Sequence, residues 1–157
     1  METKKLEIRF QEYSSIEELN PEDRELSLAA INAMQGAYAP YSHFHVGAAV
    51  RLDSGEIVKG ANQENAAFPS GICAERTAMF SAGATYPQKA MTSIAIAGGV
   101  MGMLSKEPTS PCGSCRQVMA QCQTRSGKPM SIILVSSGKI LKFSCVDDLL
   151  PLIFNNI

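Results

Sequence analysis

Three cysteines and one acidic residue form the part of this sequence best suited to chemistry. Cys73 and Glu75 are separated by one alanine, and Cys112 and Cys115 follow downstream at C-x-x-C spacing. A structural zinc site closes its shell with four protein ligands, whereas a catalytic one uses three and leaves a position for water. Three thiols beside an acid that the metal does not need as a ligand therefore predict an activated water with Glu75 as its proton carrier.

The cysteines are predicted to lie at the starts of two helices. Residues 73 to about 82 favour a helix that Gly83 would end, and Ser110-Pro111 would cap a second helix running to about Cys122. The second cysteine pair lies one helical turn apart on the same face, so its sulfurs can converge on one ion. Helix N-termini also favour thiolate over thiol.

Three thiolates on a zinc ion leave a net negative charge, which weakens the ability of the metal to acidify water. Arg76 and Arg116 are each adjacent to the cluster in sequence and could donate to the sulfurs. We expect Arg76 to be the main donor and to tune the metal without binding it.

The separate parts of this pattern are weak on their own. A lone C-x-x-C pair is also typical of a redox dithiol or a structural zinc site, and a non-catalytic zinc protein used for binding is an alternative. Glu75 argues against a scaffold, because a scaffold has no use for a free acid at the metal. Together, Cys-x-Glu and Pro-Cys-x-x-Cys match the signature of zinc nucleobase deaminases.

Bulk composition narrows the class of protein. The chain has 157 residues, a net charge of −1 and 45% hydrophobic residues, which fits a single domain spanning 1–157. Near-neutral charge gives no sign of a nucleic-acid or anionic membrane partner. No apolar run approaches the roughly 20 residues of a membrane span. Five cysteines without a signal peptide favour a reducing, cytoplasmic location.

Helical and strand-like segments alternate along the chain, which favours an α/β layered domain. Residues 1–15 carry the apolar/polar alternation of a strand at Leu6, Ile8 and Phe10, and these residues could lengthen the sheet or join subunits. A helix is predicted from the Asn20-Pro21 start. The further predicted strands are Val46–Leu52, Glu56–Gly60, Ser93–Gly98, Ser131–Ser136 and Lys139–Phe143.

Five ordered blocks make the chain resemble the small, homotetrameric, three-cysteine cytidine deaminases. The blocks are Pro40–Ala49, Asn62–Ala66, Ile72–Ala78, Pro111–Met119 and Leu149–Pro151. The resemblance implies a three-layer α/β/α sandwich around a mixed five-stranded sheet. It also implies one zinc ion per subunit, held by Cys73, Cys112 and Cys115, with Glu75 shuttling protons to the pyrimidine N3 and then to the departing amine. The implied reaction converts cytidine and 2′-deoxycytidine to uridine and 2′-deoxyuridine in pyrimidine salvage.

The resemblance also implies a set of residues that contact the nucleoside. Asn62 and Glu64 would bond the ribose hydroxyls, Phe44 would pack against the base, and the backbone at Ala74 would read its carbonyl edge. Neighbouring subunits would complete the pocket with Ala66, Phe68 and Phe154. From the residues alone, the aromatic side chains could equally be packing, and the polar ones could stabilise a turn.

Two positions depart from the family pattern. Gln63 stands where a valine or isoleucine is usual, and Phe68 stands where a tyrosine is common. These departures motivate an alternative substrate, a modified cytosine nucleoside or another amino-heterocycle. A polynucleotide substrate is disfavoured, because no Lys/Arg cluster lies near the motif to bind phosphates.

Overall fold

The computed structural model describes residues 1–155, so the last two residues of the predicted domain 1–157 lie outside the described residues. Six strands form one sheet, and three α-helices accompany it within this range. The elements are β1 (Gln11–Tyr13), α1 (Pro21–Ala33), β2 (Phe44–Leu52), β3 (Ile57–Ala61), α2 (Ala74–Thr85), β4 (Met91–Val100), α3 (Gly113–Ser126), β5 (Ser131–Val135) and β6 (Ile140–Phe143).

The strand order is β1-β6-β5-β4-β2-β3, and every neighbouring pair is antiparallel except β4 and β5. Parallel neighbours need a crossover connection, and α3 lies in the connection that joins β4 to β5. The sheet is therefore mixed, as expected. No helix within residues 1–155 has both the length and the apolar character that crossing a bilayer requires.

Successive side chains of each strand point to opposite faces of the sheet, and both faces are covered by helices. On one face, Ala49 and Ile133 belong to a buried cluster with Leu26 of α1. On the other face, their strand neighbours pack with Ala78 of α2 and Met119 of α3. This arrangement confirms the predicted three-layer α/β/α sandwich.

The sheet has six strands rather than the expected five, because β1 adds to the edge beside β6. The alternation at Leu6 to Gln11 predicted a strand there, but the observed strand is Gln11–Tyr13. The difference has a physical cause: the partners that β6 offers to β1 run only from Ile140 to Lys142. A segment is a strand of the sheet only where its backbone hydrogen-bonds to a neighbouring strand, so an extended segment without such a partner does not belong to the sheet.

Local signals set the helix starts better than the helix ends. The Asn20 side chain accepts a hydrogen bond of 2.9 Å from the Asp23 N–H at the start of α1, as the capping pattern predicted. Gly83 does not end α2, which continues to Thr85. A glycine costs a helix interior about 1 kcal/mol, and burial of one face of α2 offsets that cost.

Gly60 fixes how closely α2 lies on the sheet. A Cβ at this position of β3 would overlap the Ala78 backbone nitrogen and would lie 2.7 Å from the Ala74 carbonyl oxygen. Only a residue without a side chain allows the strand and helix backbones to approach this closely. The first turn of α2 is thereby held against β3.

Candidate active site

The three cysteine sulfurs meet where α2 and α3 begin. Cys73 is the N-cap of α2, Cys112 is the N-cap of α3, and Cys115 lies in the first turn of α3. The Sγ atoms of Cys73 and Cys112 are 3.8 Å apart, and those of Cys112 and Cys115 are 3.6 Å apart. All three sulfurs lie within 4.8 Å of one another.

These separations fit one zinc ion. Tetrahedral geometry with Zn–S bonds of about 2.3 Å places neighbouring sulfurs roughly 3.8 Å apart. A disulfide would need a separation of about 2.05 Å, so the cysteines are not bonded to one another. Within residues 1–155 the cluster offers three sulfur ligands, which leaves one tetrahedral direction open to a further ligand. Zinc is therefore the cofactor that this donor set holds.

Two cysteines of the cluster, Cys73 and Cys115, have pKa values shifted in opposite directions. A hydrogen bond from the Cys115 thiol lowers the pKa of Cys73 to about 5, with a smaller contribution from Arg76 and against the opposing effect of burial. The same hydrogen bond raises the pKa of Cys115, which keeps its proton, and burial adds to that increase. In the protein without metal, the cluster thus carries its negative charge on Cys73.

Arg76 supplies the compensating cation. Its Nη2 donates to the Cys73 sulfur over 3.7 Å, and this bond raises the pKa of the guanidinium. Arg116, the other candidate, instead donates from Nε to the Pro111 carbonyl at 2.9 Å and from Nη1 to the Leu149 carbonyl at 2.8 Å. Arg116 therefore joins α3 to the C-terminal segment, and Arg76 is the arginine on a thiolate.

Glu75 is the second residue of α2 and is 4% exposed. Burial raises the pKa of its carboxyl group, and the negative charge on Cys73 raises it further. Hydrogen bonding to the backbone and to Cys115 has a weaker, opposite effect on this pKa. A carboxyl group with a raised pKa beside a metal site is suited to accepting a proton and returning it.

Ala74 is the first residue of α2 and is fully buried. The first four N–H groups of a helix have no partner within the helix. The Ala74 N–H is one of these groups, at the same helix start as Cys73 and Glu75.

A cleft of about 560 Å³ adjoins the sulfur cluster. Its lining includes one cysteine of the metal site, the arginine that donates to it, and three residues predicted to contact the nucleoside: Cys73, Arg76, Asn62, Glu64 and Phe68. The structure thus brings the residues around 62–68 together with the start of α2. A cleft of this size is typical of small-ligand sites.

The polar side chains in the cleft also hold its walls. Asn62 accepts from the Val46 N–H at 2.8 Å and donates to the Phe44 carbonyl at 2.9 Å. One Glu64 oxygen accepts from the Tyr41 N–H at 2.8 Å. Each side chain keeps unused capacity, since an amide has two lone pairs and two donors, and a carboxylate has a second oxygen.

Glu75, Ala74 and three further predicted contacts lie outside the lining of this cleft. Phe44 begins β2 and is half-buried, with its ring near Gly98. Ala66 is exposed in the loop before α2. Phe154 is 67% exposed, and its carbonyl accepts a hydrogen bond of 2.8 Å from Gln117. Within a single subunit, these three residues do not join the cleft.

Tyr41 and Ser42 line the cleft but were not among the predicted site residues. Their backbone N–H groups bind the carboxylate of Glu64, and a hydrogen bond from the Ser42 side chain lowers the pKa of that carboxylate. The Tyr41 ring lies edge-on to Phe68, with centroids 6.0 Å apart. The sequence did offer one signal for this part of the site: Tyr41 is an aromatic residue in a polar turn just before a strand.

Comparison with known proteins gives one consistent family. The sequence model described as "Cytidine and deoxycytidylate deaminase zinc-binding region" matches residues 20–127. A cytidine deaminase from Halalkalibacterium halodurans is 46% identical over 63% of this chain and 71% of its own length. One from Sporosarcina psychrophila is 38% identical, covering 76% and 81%. The crystal structure of a cytidine deaminase from Burkholderia pseudomallei superposes with a TM-score of 0.71 at 40% identity, over 83% of this chain and 97% of that one.

Proposed function

This chain belongs to the cytidine and deoxycytidylate deaminase family, and on that premise we propose that it hydrolyses cytidine and 2′-deoxycytidine to uridine and 2′-deoxyuridine, releasing ammonia. One observation carries the proposal: three sulfurs at zinc spacing lie at the starts of α2 and α3, and a buried acid, Glu75, lies in the first turn of α2. A structural zinc site would use a fourth protein ligand and would need no such acid.

Cys73, Cys112 and Cys115 would hold zinc, which would supply a Lewis acid that lowers the pKa of a water toward neutral. Glu75 would take one proton from a water and deliver it to N3 of the pyrimidine as the water oxygen adds to C4. Glu75 would then take the remaining proton from that oxygen and deliver it to the amino nitrogen, so that the C4–N bond breaks and ammonia leaves as the C4 carbonyl forms. The raised pKa of Glu75 suits a group that must hold and release a proton in each turnover.

Asn62 and Glu64 are the proposed ribose contacts. Glu64 uses one oxygen for the Tyr41 and Ser42 N–H groups, so its other oxygen can accept from a ribose hydroxyl. Asn62 keeps one donor and one acceptor after its bonds to β2. The backbone N–H at Ala74 is the proposed donor to the base carbonyl, and Phe44 is the proposed base contact.

We propose a homotetramer in which neighbours complete each pocket. Phe68, which lines the cleft, is 78% exposed, and Phe154 is 67% exposed. Large exposed apolar side chains are typical of surfaces that bind a partner. Contacts from Ala66, Phe68 and Phe154 of neighbouring subunits would cover the nucleoside. One domain over 1–157, a cytoplasmic location and a role in pyrimidine salvage complete the proposal, which has no nucleic-acid or membrane partner.

Glu75→Gln tests the mechanism. The variant should retain one zinc per subunit and its fold, because Glu75 is not a ligand, and should lose ammonia release by about 10²-fold or more. Zinc content, thermal unfolding and the ultraviolet change from cytidine to uridine provide the measurements. Glu56→Gln, an exposed acid in the β2–β3 turn, is the matched control. Normal turnover by Glu75→Gln would show that the assigned mechanism is wrong.

A second candidate substrate is a modified cytosine nucleoside or another amino-heterocycle. Gln63 and Phe68 both line the cleft, and Phe68 lacks the hydroxyl that a tyrosine would offer to a ribose. Initial rates on cytidine, 2′-deoxycytidine and 5-substituted analogues separate the two candidates. Turnover of an analogue with no turnover of cytidine would replace the first candidate with the second.

A further inference from the structure

We propose that residues 4–12 form a self-complementary edge strand that pairs antiparallel with the same strand of a second copy of this chain. The pairing would join the sheets of two subunits through a two-fold axis at Ile8. It involves residues that precede the family match at residue 20, so it does not rest on the deaminase chemistry.

The backbone of this segment is free to pair. β1 lies at the end of the sheet, with β6 on one side only. Within residues 1–155, the backbone hydrogen bonds outside helices and strands include none from residues 1–14. Arg9 N–H makes one long contact of 3.4 Å to the Asp148 carboxylate. A row of free N–H and C=O groups is a template for a further strand.

The side chains alternate as in a strand that covers a partner. Leu6, Ile8 and Phe10 are 62%, 51% and 52% exposed. The Phe10 ring already packs on Phe143, with centroids 5.5 Å apart, so this apolar row continues from the edge of the core. A second identical row would extend that packing across the joined sheets.

The sequence selects a copy of itself as the partner. With Ile8 opposite Ile8 in an antiparallel pair, Glu7 faces Arg9 of the copy and Leu6 faces Phe10. Further out, Lys5 faces Gln11 and Lys4 faces Glu12. Every charged residue of this stretch other than Lys5 thus meets the opposite charge, and the apolar residues meet each other, which are the stabilising cross-strand pairs.

The charges are available for this exchange. In one subunit, Arg9 and Glu7 pair with each other at 2.9 Å, and their side chains are 82% and 65% exposed. Such exposed pairs contribute little to stability, so replacing them with cross-strand pairs costs little. Two-fold pairing also covers this edge in both copies and closes the assembly there.

Site-directed disulfide formation tests the register. Residues directly opposite each other have Cα atoms about 4.5–5.5 Å apart, which a disulfide can bridge. Ile8→Cys should therefore give a covalent dimer of the full chain, loaded with zinc, on mild oxidation and a non-reducing gel. Glu7→Cys is the matched control, because the register separates its two copies by about 8 Å. The native chain, under the same oxidation, gives the baseline for its own cysteines.

Charge reversal tests the pairing itself. In the Ile8→Cys background, Glu7→Arg places arginines opposite each other and should slow cross-linking by about tenfold. Adding Arg9→Glu recreates opposite charges and should restore the rate. A chain that stays uncross-linked at residue 8, equal cross-linking at residues 7 and 8, or a rate indifferent to charge reversal would each overturn the proposal.

Discussion

Gly60→Ala should displace the metal ligand Cys73, although Gly60 lies on β3 and does not bind the metal. The added Cβ would lie 2.7 Å from the Ala74 carbonyl oxygen and 2.9 Å from the Ala78 Cα, where ordinary contacts begin at 3.4 Å. Both neighbours are backbone atoms of α2, which cannot rotate away. The helix must therefore move outward by about 0.7 Å or more, since packed interiors have no room to absorb the overlap.

That displacement is large for a metal centre. Zinc sites hold their ligand distances to within about 0.2 Å, and α2 carries Cys73 while α3 carries the other two sulfurs. Overpacking of this kind costs about 1–3 kcal/mol, which corresponds to a fall in Tm of about 2–12 °C for a chain of this length. We expect zinc affinity to fall by at least about tenfold.

Thermal unfolding and competition with a chelating dye measure the two effects, at fixed protein concentration. Gly83→Ala is the matched control on the same helix, because its Cβ would meet only the Met91 Cε at an ordinary 3.7 Å. Removing a mid-helix glycine should stabilise the protein by about 0.5–1 kcal/mol and leave zinc affinity unchanged. Native Tm and native zinc affinity in Gly60→Ala would refute the reasoning.

Three further predictions concern charge at the sulfur cluster. Arg76→Gln should move the acidic limb of the pH–rate profile up by about one pH unit, because a charge pair at 3.7 Å contributes about 1 kcal/mol even in bulk water. Arg76→Lys keeps the charge and should shift the limb less. An acidic limb that does not move in Arg76→Gln would contradict this role of Arg76. In the zinc-free protein, thiolate absorbance should appear as pH rises through about 5, the lowered pKa of Cys73, and should be lost in Cys73→Ser. The ordinary pKa of the Cys73 thiol is 9.0. The lowered pKa in the folded state should therefore make the zinc-free protein more stable as pH rises from 5 to 9, and this stabilisation should be lost as pH falls back to 5. A urea unfolding midpoint that does not change over this range would contradict the prediction.

The metal site could be predicted from sequence because its geometry is mostly local. C-x-x-C at a helix start brings Cys112 and Cys115 to one ion whatever the rest of the fold does. Which arginine, Arg76 or Arg116, donates to the sulfurs depends on residues far away in the sequence. Arg116 is occupied by the Leu149 carbonyl, and that contact exists only once the C-terminal segment has folded onto α3.

The sequence predicted the fold well where the structure of a segment depends on its own residues, and poorly where it depends on contacts with another segment. The start of α1 follows from Asn20 and its own first turn. The end of α2 was wrong because burial of its face, rather than Gly83, sets its length. The extra N-terminal strand lies within the predicted residues 1–15 but covers only Gln11–Tyr13. Alternation shows only that a segment can pair, whereas β6 sets where it does.

Both helices of the metal site begin with cysteine as the N-cap, and neither Cys73 nor Cys112 makes a side-chain capping bond. A serine or aspartate cap would contribute about 1 kcal/mol to each helix start. These starts forgo that contribution, and a zinc ion bound by both caps would replace it. We therefore expect hydrogen exchange in the first turns of the two helices to slow when zinc binds, with a smaller change in the sheet.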